Sequence, residues 1–358
     1  MKTSFKLVAL AVLAATGAAA QAQSSVTLFG IADVAVRNVK NGGTSVTSLS
    51  SGGINTSRLG VRGNEDLGGG LVAGFWLEAG FNLDSGTQSD PDTLNKDGTL
   101  KTGRFFNRRS TVSLTNSLGE VRLGRDFTPT YTGWSDFDVF GDNGVGAGGK
   151  FLQKFGTTVD TNTRADNQVS YFTPGNLGGF YGRLSAAAGE GTSGKKYYGG
   201  RAGYAAGPVN VSLAYGQTTV TPLAGTGDDK LKSMTLGASY DLGVANLMGY
   251  YTEAKYASLK TDTYHIGAIV PVTALASLKV SYTKLSASGS LNGVSNDAND
   301  SSQVALGGIY SLSKRTALYA SYARVNNKGN AAYVADSNPT AVAGKASTGY
   351  EVGVRHAF

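Results

Sequence analysis

The 358-residue chain has no cysteine, so neither disulfides nor thiolate metal sites can hold it together. It has only two histidines, His265 and His356. Each sits in a strand-like pattern, and neither has a metal or triad partner nearby in the sequence. Proline is scarce at 7 residues, against 51 glycines. Beyond the N-terminal stretch, no apolar run approaches the ~20 residues that a helical membrane span needs. Charged residues make up 16% of the chain, and the formal net charge of +7 is not gathered into any Lys/Arg cluster. Without such a cluster, nucleic acid is not an expected partner. Stability must come from burial and backbone pairing, and no cofactor or metal is expected.

The N-terminus carries Lys2 and Lys6, then an apolar and small-residue run from Leu7 to Ala20, then Ala20-Gln21-Ala22. This order of basic, apolar and A-x-A segments is that of a secretory signal peptide over residues 1–22, with cleavage expected after Ala22. Losing Lys2 and Lys6 takes the charge from +7 to +5. The remainder, 23–358, is rich in aromatics; the whole chain has 18 Tyr and 14 Phe with a mean hydropathy of −0.13. A slightly polar average combined with abundant strand-forming aromatics fits a transmembrane β-barrel, in which only alternate residues meet lipid.

Period-two alternation recurs along the chain. In SVTLFGIADVAV, Val26, Leu28, Ala32, Val34 and Val36 share one face, with Thr27, Asp33 and Arg37 opposite. In ASLKVSYTK, Leu278, Val280 and Tyr282 oppose Lys279. The closing GYEVGVRHAF places Tyr350, Val352, Val354, His356 and Phe358 together against Arg355. Tight turns interrupt the strands at Asp66–Gly69, Asn116–Gly119, Pro174–Gly178, Ala206–Pro208, Asp241–Gly243, Pro271–Thr273 and Leu312–Lys314. Longer Gly/Asp/Asn/Ser-rich segments lie between them at 85–102, 126–163, 287–300 and 327–345. Short turns at one end and long loops at the other describe an outer-membrane barrel. The pattern predicts about sixteen strands, at 24–38, 53–66, 69–84, 103–116, 119–125, 164–174, 178–190, 194–206, 208–220, 230–242, 244–257, 259–271, 273–287, 301–312, 314–326 and 345–358. An even number closes the sheet without free edges, and a barrel of this size encloses an aqueous channel.

One segment breaks the alternation, RDFTPTYTGWSDFDVFGDNGVGAGG from Arg125 to Gly149. Pro129 ends the preceding strand, because proline cannot donate to the ladder. Phe127, Tyr131, Trp134, Phe137 and Phe140 follow, mixed with Asp126, Asp136, Asp138 and Asp142. So many large aromatics need something to pack on, which predicts an ordered loop folded onto or into the barrel. Two glycine-rich stretches, Gly144 to Lys150 and Gly189 to Lys195, approximate a phosphate-binding loop. Both lack the Ser/Thr after Lys and the strand-to-helix setting, so they read as loops. Asp90 and Asp92 suggest a calcium loop, but Leu94 breaks the ligand series.

SSVTLFG, SRLGVRGNEDLGGGL, EVRLGRDFTPTY and the terminal GVRHAF resemble the trimeric general porins of Gram-negative outer membranes in their beta-proteobacterial form. The resemblance spans the whole mature chain, with its specific motifs at the ends. It implies a homotrimer in outer-membrane lipid, with the third external loop, about 126–160, folded into the lumen. It also implies a terminal Phe358 read by the barrel-insertion machinery. The constriction arginines carried over by motif are Arg58, Arg62, Arg164 and Arg108. Alternation with Val112 and Leu114 outward picks Arg109 instead of Arg108, and a bulge would reconcile the two. Where the family carries an acid before Phe-Gly, this chain has Val139, leaving Asp136 or Asp138 to face the arginines. A basic ring favours anions. The expected function is passive diffusion of small anionic or neutral hydrophilic solutes across the outer membrane, with a preference for anions. The alternatives are a substrate-specific porin, an adhesin acting through the external loops, and an outer-membrane enzyme, for which two histidines offer little.

Overall fold

A computed structural model describes residues 25–89 and 104–358. The signal-peptide residues and Asp90, Asp92 and Leu94 lie outside the described residues. The backbone forms one antiparallel sheet that closes on itself. Strands β1 (Ser25–Asn41), β2 (Thr44–Ser51), β3 (Arg58–Asp66), β4 (Val72–Gly80), β5 (Arg109–Asn116), β6 (Gly119–Phe127), β7 (Arg164–Phe172), β8 (Phe180–Ala187) and β9 (Lys196–Ala206) build one half of the wall. Strands β10 (Val209–Thr219), β11 (Lys230–Asp241), β12 (Asn246–Tyr256), β13 (Leu259–Pro271), β14 (Ala276–Ser288), β17 (Ser301–Ser311), β18 (Thr316–Asn327) and β19 (Ser347–Ala357) build the other. The two-residue strands β15 (Ser290–Leu291) and β16 (Val294–Ser295) form a separate hairpin in an external loop.

Closure runs from Ile31↔Ala357 to Asn41↔Ser347 between β1 and β19. Just beyond that ladder, Phe358 and Gly30 exchange backbone hydrogen bonds of 3.0 Å in both directions. The lower half of β1 pairs with β3 and its upper half with β2, so β2 and β3 are two halves of one barrel strand and the barrel has sixteen. Alternation predicts this strand only from 53, because the Ser/Thr-rich TSVTSLSS of β2 carries no apolar alternation. The break at 52–57 has a cause in β1. The buried Asp33 carboxylate accepts the backbone N–H groups of Gly53, Ile54 and Asn55 at 3.0, 3.0 and 2.7 Å. These donors turn inward to a charge and leave the ladder.

The alternation resolves as expected. Leu213, Leu236, Ile266, Leu278 and Val352 point outward and are exposed on the isolated chain. Ser212, Thr235, Thr263, Ser281 and Thr283 point inward. The buried apolar core therefore does not lie between two layers of the wall. It lies between the wall and the segment linking β6 to β7.

Candidate functional site

That segment, 128–163, enters the barrel. It begins with helix α1 (Pro129–Ser135), in a stretch whose broken alternation predicts only an ordered loop. Thr128 caps it by accepting the Tyr131 N–H at 3.3 Å, and Pro129 occupies the first turn, where no donor is needed. These two residues were the available signal. The segment then packs on the wall that runs from β9 through β19 to β1. Trp134 and Phe137 meet Tyr250, and Val139, Phe140 and Val145 meet Val39, Ala305, Ala323 and Ala335. Gly237 leaves room for this docking, because a Cβ there would fall 2.1 Å from the Phe137 ring.

Polar contacts fix the remainder. Glu351 accepts the Val145 N–H at 3.2 Å and also pairs with Arg37 at 2.6 Å. Lys150 donates to the Val145 carbonyl at 2.7 Å and to Gln303 Oε1 at 2.5 Å. The lysine of the phosphate-loop lookalike is thus a peg that holds the segment to β17. His265, stacked on Tyr250 at 4.7 Å, accepts the Val139 N–H at 3.4 Å and donates or accepts with Thr283 at 2.8 Å. Asp142 accepts from Tyr131 Oη at 3.0 Å and from the Gly149 N–H at 2.9 Å. Burial and the neighbouring Asp138 push its carboxyl up to about 7.

With the segment seated on one side, the remaining aperture borders β3 to β7, the wall that carries Arg58, Arg108 and Arg164. Arg58, Arg108 and Arg164 come together there. Glu78, across β4, takes Arg108 Nε at 2.5 Å and Arg58 Nη1 at 3.4 Å on the same oxygen. Its other oxygen accepts the Trp76 indole N–H at 3.0 Å. Arg58 Nε donates to the Thr56 carbonyl at 2.9 Å, and Arg164 Nε to the Arg108 carbonyl at 2.8 Å. The Arg164 guanidinium lies 4.1 Å from the centre of the Phe127 ring. That ring stacks in turn on Tyr131 of α1 at 4.8 Å. Three guanidiniums thus meet one carboxylate, because among the described residues Arg164 has none within 4 Å.

Both residues of the Arg108/Arg109 pair face the lumen. Arg109 is the register partner of Glu78, yet Arg108 also donates its N–H to the Glu78 carbonyl at 3.1 Å. One residue of β4 therefore opposes two of the chain entering β5, and alternation cannot choose between them. Their roles differ. Arg108 points to Glu78, while Arg109 lies 4.4 Å from the centre of the Trp76 ring and 3.8 Å from Asp126. Arg62 faces inward as well, but four residues along β3 from Arg58 towards the short turns, or about 13 Å of strand.

The two loop acids do not stand where the sequence reading put them. Asp138 is buried inside the segment and accepts three backbone N–H groups, from Phe140, Asp142 and Gly148, at 3.1, 3.0 and 2.8 Å. A short carboxylate at such a bend satisfies the backbone, and it then has no face left for the lumen. Asp136 is half exposed and pairs with Arg201 of β9 at 2.5 Å, away from Arg58 and Arg108. The carboxylate that reaches the arginines is Glu78, which no motif in the sequence singles out. Its signal was its place inward in β4, directly opposite Arg109.

Arg122 and Arg183 form a lower tier with acids beside them. Arg122 pairs with Glu120 and Asp126, each at 2.7 Å. Arg183 lies 4.7 Å from the Phe172 ring centre and donates to Gln168 at 3.0 Å. Nearer the external mouth, Asp166 gathers Arg125, Arg104 and Lys195 at 2.7, 2.8 and 3.5 Å.

The architecture and sequence both match known proteins. The family model described as Gram-negative porin matches residues 9–330. Outer membrane porin protein 32 of Delftia acidovorans is 41% identical over 98% of this chain and 99% of its own length. An outer membrane porin protein of Bordetella pertussis is 30% identical over 98% of this chain and 99% of its own. Among solved structures, the anion-selective porin from Comamonas acidovorans superposes with a TM-score of 0.81 at 38% identity, covering 94% of this chain and all of that one. The fold extends to OmpT of Vibrio cholerae, with a TM-score of 0.68 at 17% identity. A closed sixteen-stranded barrel, a segment folded into its lumen and these relatives agree: the chain belongs to the Gram-negative porin family and is a channel protein of the outer membrane.

Proposed function

We propose that the channel passes small hydrophilic solutes by diffusion with a preference for anions, and that Arg58, Arg108 and Arg164 set that preference. The observation that carries this reading is the imbalance at the aperture, three guanidiniums against Glu78 alone. Arginine stays charged at any working pH and presents a planar fork of donors to anions. At ~0.1 M salt the screening length is about 10 Å, so the field of this cluster spans a narrow aperture. The solved relative from Comamonas acidovorans is itself described as anion-selective. Planar-bilayer recordings in a KCl gradient should give a zero-current potential of anion sign that shrinks in molar salt. A potential of cation sign would sink the reading.

The protein is a channel in this reading and not an enzyme. The mature chain begins near Gln23 after removal of residues 1–22, and it assembles as a homotrimer. A trimer form is described for a solved relative of the same fold, OmpT. Phe358, which extends the β19 edge onto Gly30, is the assembly signal for the insertion machinery. Burying an aromatic side chain is worth roughly 1.5–3 kcal/mol. The effect on assembly should be larger, with Phe358 deletion leaving unfolded chain in the periplasm. A normal yield of heat-labile trimer from the deletion would count against that role.

A further inference from the structure

The Arg62 side chain is not used by the aperture, and its surroundings are those of a binding site. Its guanidinium lies 4.8 Å from the centre of the Trp76 ring and 5.2 Å from that of Phe29, whose rings meet edge to face at 5.3 Å. Arg109 lies 4.4 Å from the same Trp76 ring. One indole therefore supports two cations, while its N–H is held by Glu78 above. The guanidiniums lie over the rings, which leaves their donor edges as the polar surface on offer. Among the described residues the Arg62 side chain has neither a hydrogen bond nor a carboxylate within 4 Å. Arg109 uses only Nε, towards Thr111 at 3.2 Å, and its nearest carboxylate, Asp126 at 3.8 Å, is already paired with Arg122. The two face a recess of the lumen of about 590 Å³, whose other lining includes Ser25, Thr27, Thr111 and Ser113 and one carboxylate, Glu120, which is paired with Arg122 at 2.7 Å.

We propose that Arg62 and Arg109, held by Trp76, form a second anion station on the short-turn side of the aperture, and that it takes oxyanions. An oxyanion with two or more oxygens can accept two parallel N–H bonds from one guanidinium edge, whereas chloride cannot. The station receives an anion after the Arg58–Arg108–Arg164 cluster has passed it. It rests on the anion-preference reading only for the direction of traffic, since its binding chemistry is its own.

The probe is inorganic phosphate at neutral pH, added to either side of single channels carrying chloride current. In the wild type, phosphate should reduce the chloride current at lower concentration from the short-turn side than from the external side. Arg62→Gln should raise the half-blocking concentration about tenfold, the scale of losing one charge-assisted pair of hydrogen bonds. Arg62→Lys should recover only part of the block, because an ammonium keeps the charge but lacks the fork. Trp76→Leu should weaken it with both arginines still present. An equal half-blocking concentration in the wild type and Arg62→Gln would overturn the proposal, and so would full recovery by lysine. Should Arg62→Gln fail to assemble, the lysine and leucine variants decide by the same criterion. Wild-type KCl zero-current potential tests the aperture separately. A cation-sign potential with an Arg62-dependent phosphate block would refute the aperture reading and leave the station standing.

Discussion

Reversing Arg58 and Arg164 to Glu together should move the zero-current potential in a KCl gradient towards cations. Each reversal changes the local charge by two units, so the wall of the aperture goes from three arginines and one glutamate to one arginine and three glutamates. Two unit charges at ~4 Å interact by about 1 kcal/mol in bulk water and about 4 kcal/mol at an effective dielectric of 20. A wet aperture lies nearer the first figure, so relative permeability should change several-fold to about tenfold. The shift should fade in molar salt, where screening falls to about 3 Å. Arg164 is the more telling half of the pair. Its guanidinium is held by the Arg108 carbonyl and the Phe127 ring and faces no carboxylate within 4 Å among the described residues, so its reversal breaks no ion pair. A double variant that folds, conducts and stays anion-preferring at 0.1 M salt would move the filter elsewhere, to Arg183, Arg201 and Lys279.

The second large effect concerns the seat of the lumen segment. Truncating Phe137 and Phe140 to Ala should enlarge single-channel conductance and blunt selectivity while leaving the barrel intact. Both side chains are almost fully buried, at 0% and 2% exposure, and a buried Phe→Ala change costs about 3–5 kcal/mol. That loss falls on the contact between segment and wall. The strand ladder that closes the barrel does not involve either residue. Gly237→Val tests the same seat from the wall, since its added atoms collide with the Phe137 ring. Unchanged conductance in both variants would show that the polar pegs, Glu351 and Lys150, suffice to hold the segment.

The sequence by itself determined the wall. Alternation of lipid-facing and lumen-facing residues is a local property with period two, so strands such as β10 to β14 and β17 to β19 could be placed within a few residues. Their turns are equally local, written in Asp, Asn, Gly and Pro. The inward direction of Arg58, Arg62 and Arg164 followed from the same period. Tertiary structure alone decided what those side chains meet. Glu78 becomes the partner of Arg58 and Arg108 through register across three strands, which no spacing in the chain records. Arg62 and Arg58 share a strand face, but only the height of the lumen segment separates the aperture from the tier below it. Asp138 and Asp136 look alike in the sequence. One is taken by three backbone N–H groups of its own bend and the other by Arg201 of the adjoining strand β9. The physical reason is one of range. Strand periodicity is set by each residue's own neighbours in the chain, whereas the electrostatics of an aperture depend on which distant charges the closed barrel and its folded-in segment bring within a few ångströms.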